Sequence, residues 1–289
     1  MDPDGAFEER TEGELSPKVA LQWRPVDDVQ LWVTGSQSFR GPSLTELYND
    51  GVHFSAPGFP LGPGAVFTGN NVFIPTPDLE PERARQIEIG GRYAEHDLVW
   101  DGDRLTFAAN AYYAKVDDFI DTIVTFIDFS TGSFNPATGQ FEVSGSTRNV
   151  NVDAELWGFE AEVDYNTGDW FAGVGLTIPR GRNLDGGGLG SIPQDRPVFT
   201  ARFRPWPGVE IGGRATFLDG QDDVPEGSQT TSGAAVFDLF AVYAPDSGGW
   251  DGAVFAVGID NITDRAYRIH PNGLNQPGIA FKASASFEF

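Results

Sequence analysis

Apolar and polar residues alternate along most of the chain with a period of two, the pattern of strands that bury one face. The final segment shows it best. Phe281, Ala283, Ala285, Phe287 and Phe289 fall on one side, and Lys282, Ser284, Ser286 and Glu288 on the other. Trp157, Phe159, Ala161, Val163 and Tyr165 alternate with Gly158, Glu160, Glu162 and Asp164. Ile87, Ile89 and Tyr93 oppose Gln86, Glu88 and Arg92; Val19, Leu21 and Trp23 oppose Lys18, Gln22 and Arg24; Val209, Ile211 and Phe217 oppose Glu210, Arg214 and Thr216. Further strands are expected near 29–38, 104–115, 119–127, 170–178, 198–204, 234–243 and 253–260. The count is about a dozen strands of roughly ten residues, the length a tilted strand needs to cross a bilayer.

The links between these strands are of two kinds. Pro25-Val26-Asp27-Asp28, Asn166-Thr167-Gly168-Asp169, Pro205-Trp206-Pro207-Gly208 and Asp246-Ser247-Gly248-Gly249 are short and rich in turn formers. Segments 40–82, 180–196, 219–233 and 263–278 are long. Short and long links alternate for much of the chain, which places turns on one rim and long loops on the other. Gly186-Gly187-Gly188 reads as a loop tip, because no strand-to-helix context surrounds it.

Alternation alone fits both a soluble sandwich and a membrane barrel. Strand length favours the barrel, since soluble strands average about five or six residues. So do the aromatics expected near strand ends: Trp23, Tyr93, Trp100, Tyr165, Trp170, Trp206, Tyr243 and Trp250. The fold class expected is all-β, an antiparallel up-and-down transmembrane β-barrel, with residues 1–289 as one domain.

Composition narrows the function. The net charge of −23 argues against nucleic acid, which needs a basic footprint. The same charge disfavours peripheral attachment to anionic lipid. Mean hydropathy is −0.26, and no apolar run approaches the roughly 18 residues of a spanning helix. With no cysteine, disulfides and thiolate chemistry are excluded. Asp2, Pro3 and Asp4 do not suit a signal peptide, so either the protein is cytoplasmic or its true N-terminus is missing, and the barrel reading favours the second. No Gly-x-Ser-x-Gly elbow, His-Glu-x-x-His helix or phosphate loop is present, and the three histidines lie beside no plausible nucleophile. An enzyme is therefore not expected.

Several segments resemble those of TonB-dependent outer-membrane receptors. Phe39-Arg40-Gly41-Pro42-Ser43-Leu44-Thr45-Glu46-Leu47-Tyr48 is similar to the family's Phe-Arg-Ala-Pro-Ser segment. Pro77-Asp78-Leu79-Glu80-Pro81-Glu82 resembles the Asn-Pro-Asn-Leu-Lys-Pro-Glu segment that follows it. Gly258-Ile259-Asp260-Asn261-Ile262-Thr263-Asp264-Arg265-Ala266-Tyr267 resembles the penultimate strand with its Asn-Leu-Phe-Asp-Lys-x-Tyr motif, and the chain closes on an aromatic, Phe289. Gly41, Thr76 and Ile279-Ala280 depart from the usual residues. The resemblance implies the C-terminal part of a roughly 22-stranded barrel, here without its plug. It also implies an outer-membrane location, contact with lipid, and coupling to the TonB complex through the missing N-terminal part.

Within that family the chain resembles haem or haemoprotein receptors, which carry a histidine between the first two motifs. His53 stands there. Imidazole and tyrosine both ligate haem iron, so His53, Tyr48 and His270 are the candidate ligand-binding residues, with His53 on the iron. Phe54, Phe59, Phe67 and Phe73 flank His53 and could cover a porphyrin. Ser191-Ile192-Pro193-Gln194-Asp195-Arg196 resembles a loop-to-strand junction of the same receptors. Haem is expected as transported ligand, with no intrinsic cofactor. A ferric-siderophore or other nutrient receptor of the same fold is the first alternative, and a soluble or surface adhesive β-protein the second. His96 is expected to be solvated. The acidic groups Asp117, Asp118, Asp121 and Asp219, Asp222, Asp223, Glu226 are expected as solvated loops rather than calcium sites. Asn261-Ile262-Thr263 is a chance sequon match.

Overall fold

A computed structural model describes residues 11–62, 65–125, 132–137, 140–245, 249–250 and 252–288, with backbone alone at 56–62, 65–68, 135, 140 and 141. Fourteen strands and one short helix are assigned: β1 Lys18–Val26, β2 Val29–Arg40, α1 Leu44–Tyr48, β3 Gly51–Gly62, β4 Ala65–Phe73, β5 Glu82–His96, β6 Arg104–Thr125, β7 Ser133–Asn135, β8 Gln140–Asn166, β9 Trp170–Asn183, β10 Val198–Trp206, β11 Val209–Leu218, β12 Ala234–Tyr243, β13 Ala253–Asp260 and β14 Ala280–Phe287. Eleven of them form one up-and-down path, β1-β2-β5-β6-β8-β9-β10-β11-β12-β13-β14. Every neighbour on that path is antiparallel.

Register carries the alternation across the sheet. Leu21, Val33, Ile89, Ala111, Phe159 and Ile178 are successive cross-strand partners, as are Phe107, Val163, Val174, Phe199, Ala215 and Phe237. One residue out of phase, Thr106, Asp164, Gly173, Thr200, Arg214 and Asp238 make a polar row on the opposite face. The apolar face is open: Ile89 is 64% exposed and Phe159 41%. An uncovered apolar face of this extent is not a surface that water tolerates. On the polar face, Trp32 donates a 3.0 Å hydrogen bond to Glu88 and lies flat over Gly90, where an added Cβ would stand 2.3 Å from the indole. Gly90→Ala must therefore push the ring aside. The expected cost is about 1–3 kcal/mol of overpacking, read as a lower unfolding midpoint together with altered tryptophan emission.

The two rims differ as expected. Short links at 27–28, 97–103, 167–169 and 207–208 share one end with the 244–252 link, and the long links share the other. The predicted turn at 246–249 lies mostly outside the described residues. Trp23, Tyr93, Trp100, Tyr165, Trp170, Trp206, Tyr243 and Trp250 all fall beside the short links. Asp103 rivets the turn at 97–103, accepting hydrogen bonds from the backbone of Leu98, Val99 and Trp100 and from the Tyr165 hydroxyl.

Two expectations need correction. Strands foreseen at 104–115 and 119–127 are one strand, β6, as far as Thr125; residues 126 and 127 lie outside the described part. A bulge between Val116 and Phe119, with Asp118 at φ 59°, sets two residues of β6 against one of β8, absorbs the one extra residue and restores the pairing. The 40–82 link is not structureless: it holds α1 and the β3–β4 hairpin. The expected antiparallel path stands, and off it the described strands add one parallel pairing. The strands β6 and β8, of 22 and 27 residues, extend past their neighbours on the long-loop side, and β4 pairs with that extension of β8 in parallel.

Candidate ligand-binding site

The two sequence segments around α1 lock together on the long-loop side. Ser43 caps the helix, accepting from the Glu46 N–H, while Glu46 accepts from the Ser43 N–H. Arg40 donates to Glu82 at 2.7 and 2.8 Å and to Glu46 at 2.8 and 3.0 Å, so one guanidinium ties the start of α1 to the start of β5. Burial pushes the Glu46 carboxyl up, but the bonds from Arg40 and Ser43 outweigh it and hold the group below its usual range. Beneath, Leu47, Leu79 and Ile120 form a small buried cluster, with Tyr48 half-buried against it. The Asn149 amide reaches the Glu46 carbonyl at 3.0 Å, and Asn151 spans the Glu80 and Asp118 carbonyls.

This base supports the hairpin that carries His53. The His53 ring is exposed, with Phe73 at 4.3 Å and Phe54 edge-on at 5.1 Å. Its Nδ1 lies 2.9 Å from the Thr147 Oγ1 of β8. The Thr147 hydroxyl donates to Asn71 Oδ1 at 2.6 Å, and Asn71 Nδ2 donates to the Thr125 carbonyl of β6 at 3.0 Å. Asn71 and Thr147 are buried. The structure thus brings His53, Phe54 and Phe73 together; the side chains of Phe59 and Phe67 lie outside the described residues.

Tyr48 and His270 both lie in packed surroundings. The side chain of Tyr48 packs against the Leu47 cluster. His270, a candidate ligand-binding residue in the last long loop, is only 6% exposed. Its Nε2 donates to the Gly190 carbonyl at 2.9 Å, its Nδ1 is 3.1 Å from the Thr231 hydroxyl, and its backbone N–H donates to Gln194. The long loops fold over one another here, and a loop's position in sequence does not reveal that. Asp121, expected in a solvated group, is likewise buried and accepts the Gly190 N–H at 3.0 and 3.1 Å. Gly190 is thus held from both sides. His96 ends β5 and is exposed, and Asp222, Asp223 and Glu226 are exposed, as expected. Among the described residues no group of three acidic or histidine side chains is arranged to hold a metal ion.

Burial lowers the His270 pKa, the Gly190 bond opposing it and Arg268 adding to it. A histidine with a depressed folded pKa contributes stability that is present above its unfolded value of about 6.5 and lost as pH falls through the lower folded value. Hydrogen-exchange protection around Gly190 and Thr231 is therefore expected to drop between neutral and mildly acidic pH. In His270→Gln that pH dependence should vanish.

Asn71, Thr147 and Thr231 escaped the sequence reading, and Gln194 entered it only as part of the 191–196 segment, with no role of its own. Each is an ordinary polar residue, and the partners of its side chain lie 25 to 94 positions away, so no local signal marks it.

A family model described as "TonB dependent receptor-like, beta-barrel" matches residues 2–262. The hemin receptor of Yersinia enterocolitica is 29% identical over 285 residues, covering 95% of this chain and 38% of the relative. The heme/hemopexin utilization protein C of a Haemophilus influenzae strain is 27% identical over 284 residues, covering 95% and 38%. Among solved structures, the copper transporter OprC superposes with a TM-score of 0.68 at 21% identity, covering 95% of this chain and 39% of that one. A double mutant of the Serratia marcescens hemophore receptor HasR, in complex with its hemophore HasA and heme, gives 0.63 at 21% identity, covering 96% and 40%. At such identities the structures establish the fold alone. The chain spans about two fifths of the length of the curated relatives it matches.

Proposed function

The chain belongs to the TonB-dependent receptor-like β-barrel family, and on that premise we propose that it forms part of the wall of an outer-membrane receptor for haem. The haem would arrive free or on a carrier protein, and the complete receptor would pass it inward when the TonB complex pulls on a plug. The chain performs no bond chemistry in this reading; it binds, orients and releases.

The observation that carries the proposal is the exposed His53 imidazole, flanked by two phenylalanines on the long-loop side. Neutral imidazole is a good ligand for haem iron, and aromatic rings suit the porphyrin face. The names of the relatives that cover 95% of this chain support the same cargo. We assign Tyr48 and His270 to packing rather than to iron. Lipid would cover the apolar rows, each fully buried large side chain contributing about 1.5–3 kcal/mol. The polar row would then face the wet interior.

Haem titrated into the complete receptor in detergent should give a saturable shift of the haem absorption band. A receptor that shows no saturable band but retains a ferric siderophore would belong to the sister function.

A further inference from the structure

We infer that Thr147 and Asn71 are positioning residues for His53, fixing which ring nitrogen is offered to the iron; the inference rests on the haem reading above. The direction of the hydrogen-bond chain follows from its buried end. The Thr125 carbonyl can only accept, so the Asn71 amide must turn its Nδ2 toward it. That turns Asn71 Oδ1 toward Thr147, and an amide oxygen can only accept, so the Thr147 hydroxyl proton points at Asn71. The hydroxyl proton is then committed, and what Thr147 offers His53 is a lone pair. His53 Nδ1 must therefore carry the ring proton and donate it across the 2.9 Å contact. In the neutral imidazole the other nitrogen, Nε2, is left with its lone pair free for a metal.

Four strands build this chain: β6 supplies Thr125, β4 Asn71, β8 Thr147 and β3 His53. Asn71 is fully buried and Thr147 is 3% exposed, so water does not compete for the two inner bonds. The ring itself is exposed, with Phe73 packed beside it, which restricts rotation about the Cβ–Cγ bond. A metal-binding histidine whose second nitrogen donates to a fixed acceptor is oriented and made more basic, and removing such an acceptor costs 10–100-fold in metal affinity as a rule.

The test uses the complete receptor and haem. Thr147→Val keeps the shape and removes the acceptor. It should weaken haem binding by about 10–100-fold and lower the iron–histidine stretching frequency of the reduced complex, while Thr147→Ser restores both. If His53→Ala loses the haem band but Thr147→Val binds and vibrates like wild type, the positioning role is wrong and the haem reading stands. If His53→Ala binds haem like wild type, His53 is not the iron ligand and the inference falls while haem remains the cargo; if the wild-type receptor gives no saturable haem band, the haem reading itself falls. A second measurement leaves the chain intact. In His53→Gly, added imidazole should restore the haem complex better than 1-methylimidazole, which lacks a proton to give Thr147. Equal rescue by the two would overturn the inference.

Discussion

Replacing His53 with alanine in the complete receptor is expected to weaken haem binding by more than the 10–100-fold typical of losing a ligand's supporting partner. The band that marks histidine-ligated iron should be lost with it. The effect should fall on binding alone, because the residue is exposed and its polar anchor among the described residues, Thr147, keeps its bond to Asn71 when the imidazole is gone. Assembly and thermal stability should thus stay near wild type. Haem titration with parallel unfolding curves checks both halves. Unchanged affinity would remove iron ligation from His53 and require another ligand for the iron.

The second large effect concerns the sheet. Phe159 sits about midway along the stretch of β8 that pairs with β9, Ala154–Asn166, and in the apolar row that runs from Leu21 to Ile178. Phe159→Arg is expected to cost about 2–4 kcal/mol if that row meets the middle of a bilayer. Thr177→Arg is the control. Thr177 pairs with Glu160, one residue out of phase, on the polar face. There an arginine gains a carboxylate neighbour and should change stability little. Denaturant titration of the receptor in lipid would show the contrast. Equal losses at the two positions would mean that no hydrocarbon lies against the Phe159 face.

Most of the sheet was legible because its cause is local. A strand with one apolar face writes period two into its own sequence, as 157–165 and 281–289 do. The bulge at Asp117 and Asp118 was not legible: two adjacent aspartates look like the end of a strand, and only the pairing with β8 shows that β6 continues. The β3–β4 hairpin was hidden for a related reason. Its segment, Ser55-Ala56-Pro57-Gly58-Phe59-Pro60-Leu61-Gly62, is rich in proline and glycine and shows no alternation. Its order comes from a partner strand distant in sequence. His53 could be marked by its place between two recognisable segments, whereas the Thr147 and Asn71 behind it could not. The burial of His270 was not legible either, because burial by other loops is a property of the assembled surface.

The parallel contact between β4 and β8 also dictates a sequence of events during assembly. The strand beside His53 is made long before the one it leans on, and the two partners of the His53–Thr147 bond are 94 residues apart. Until β5, β6 and β8 have zipped into the wall, the hairpin has nothing to grip, and distant pairings of this kind form slowly. If His53 does grasp haem iron, that capture would accordingly come late, after the surrounding wall exists, and a half-inserted intermediate would display no iron-grasping histidine to the outside.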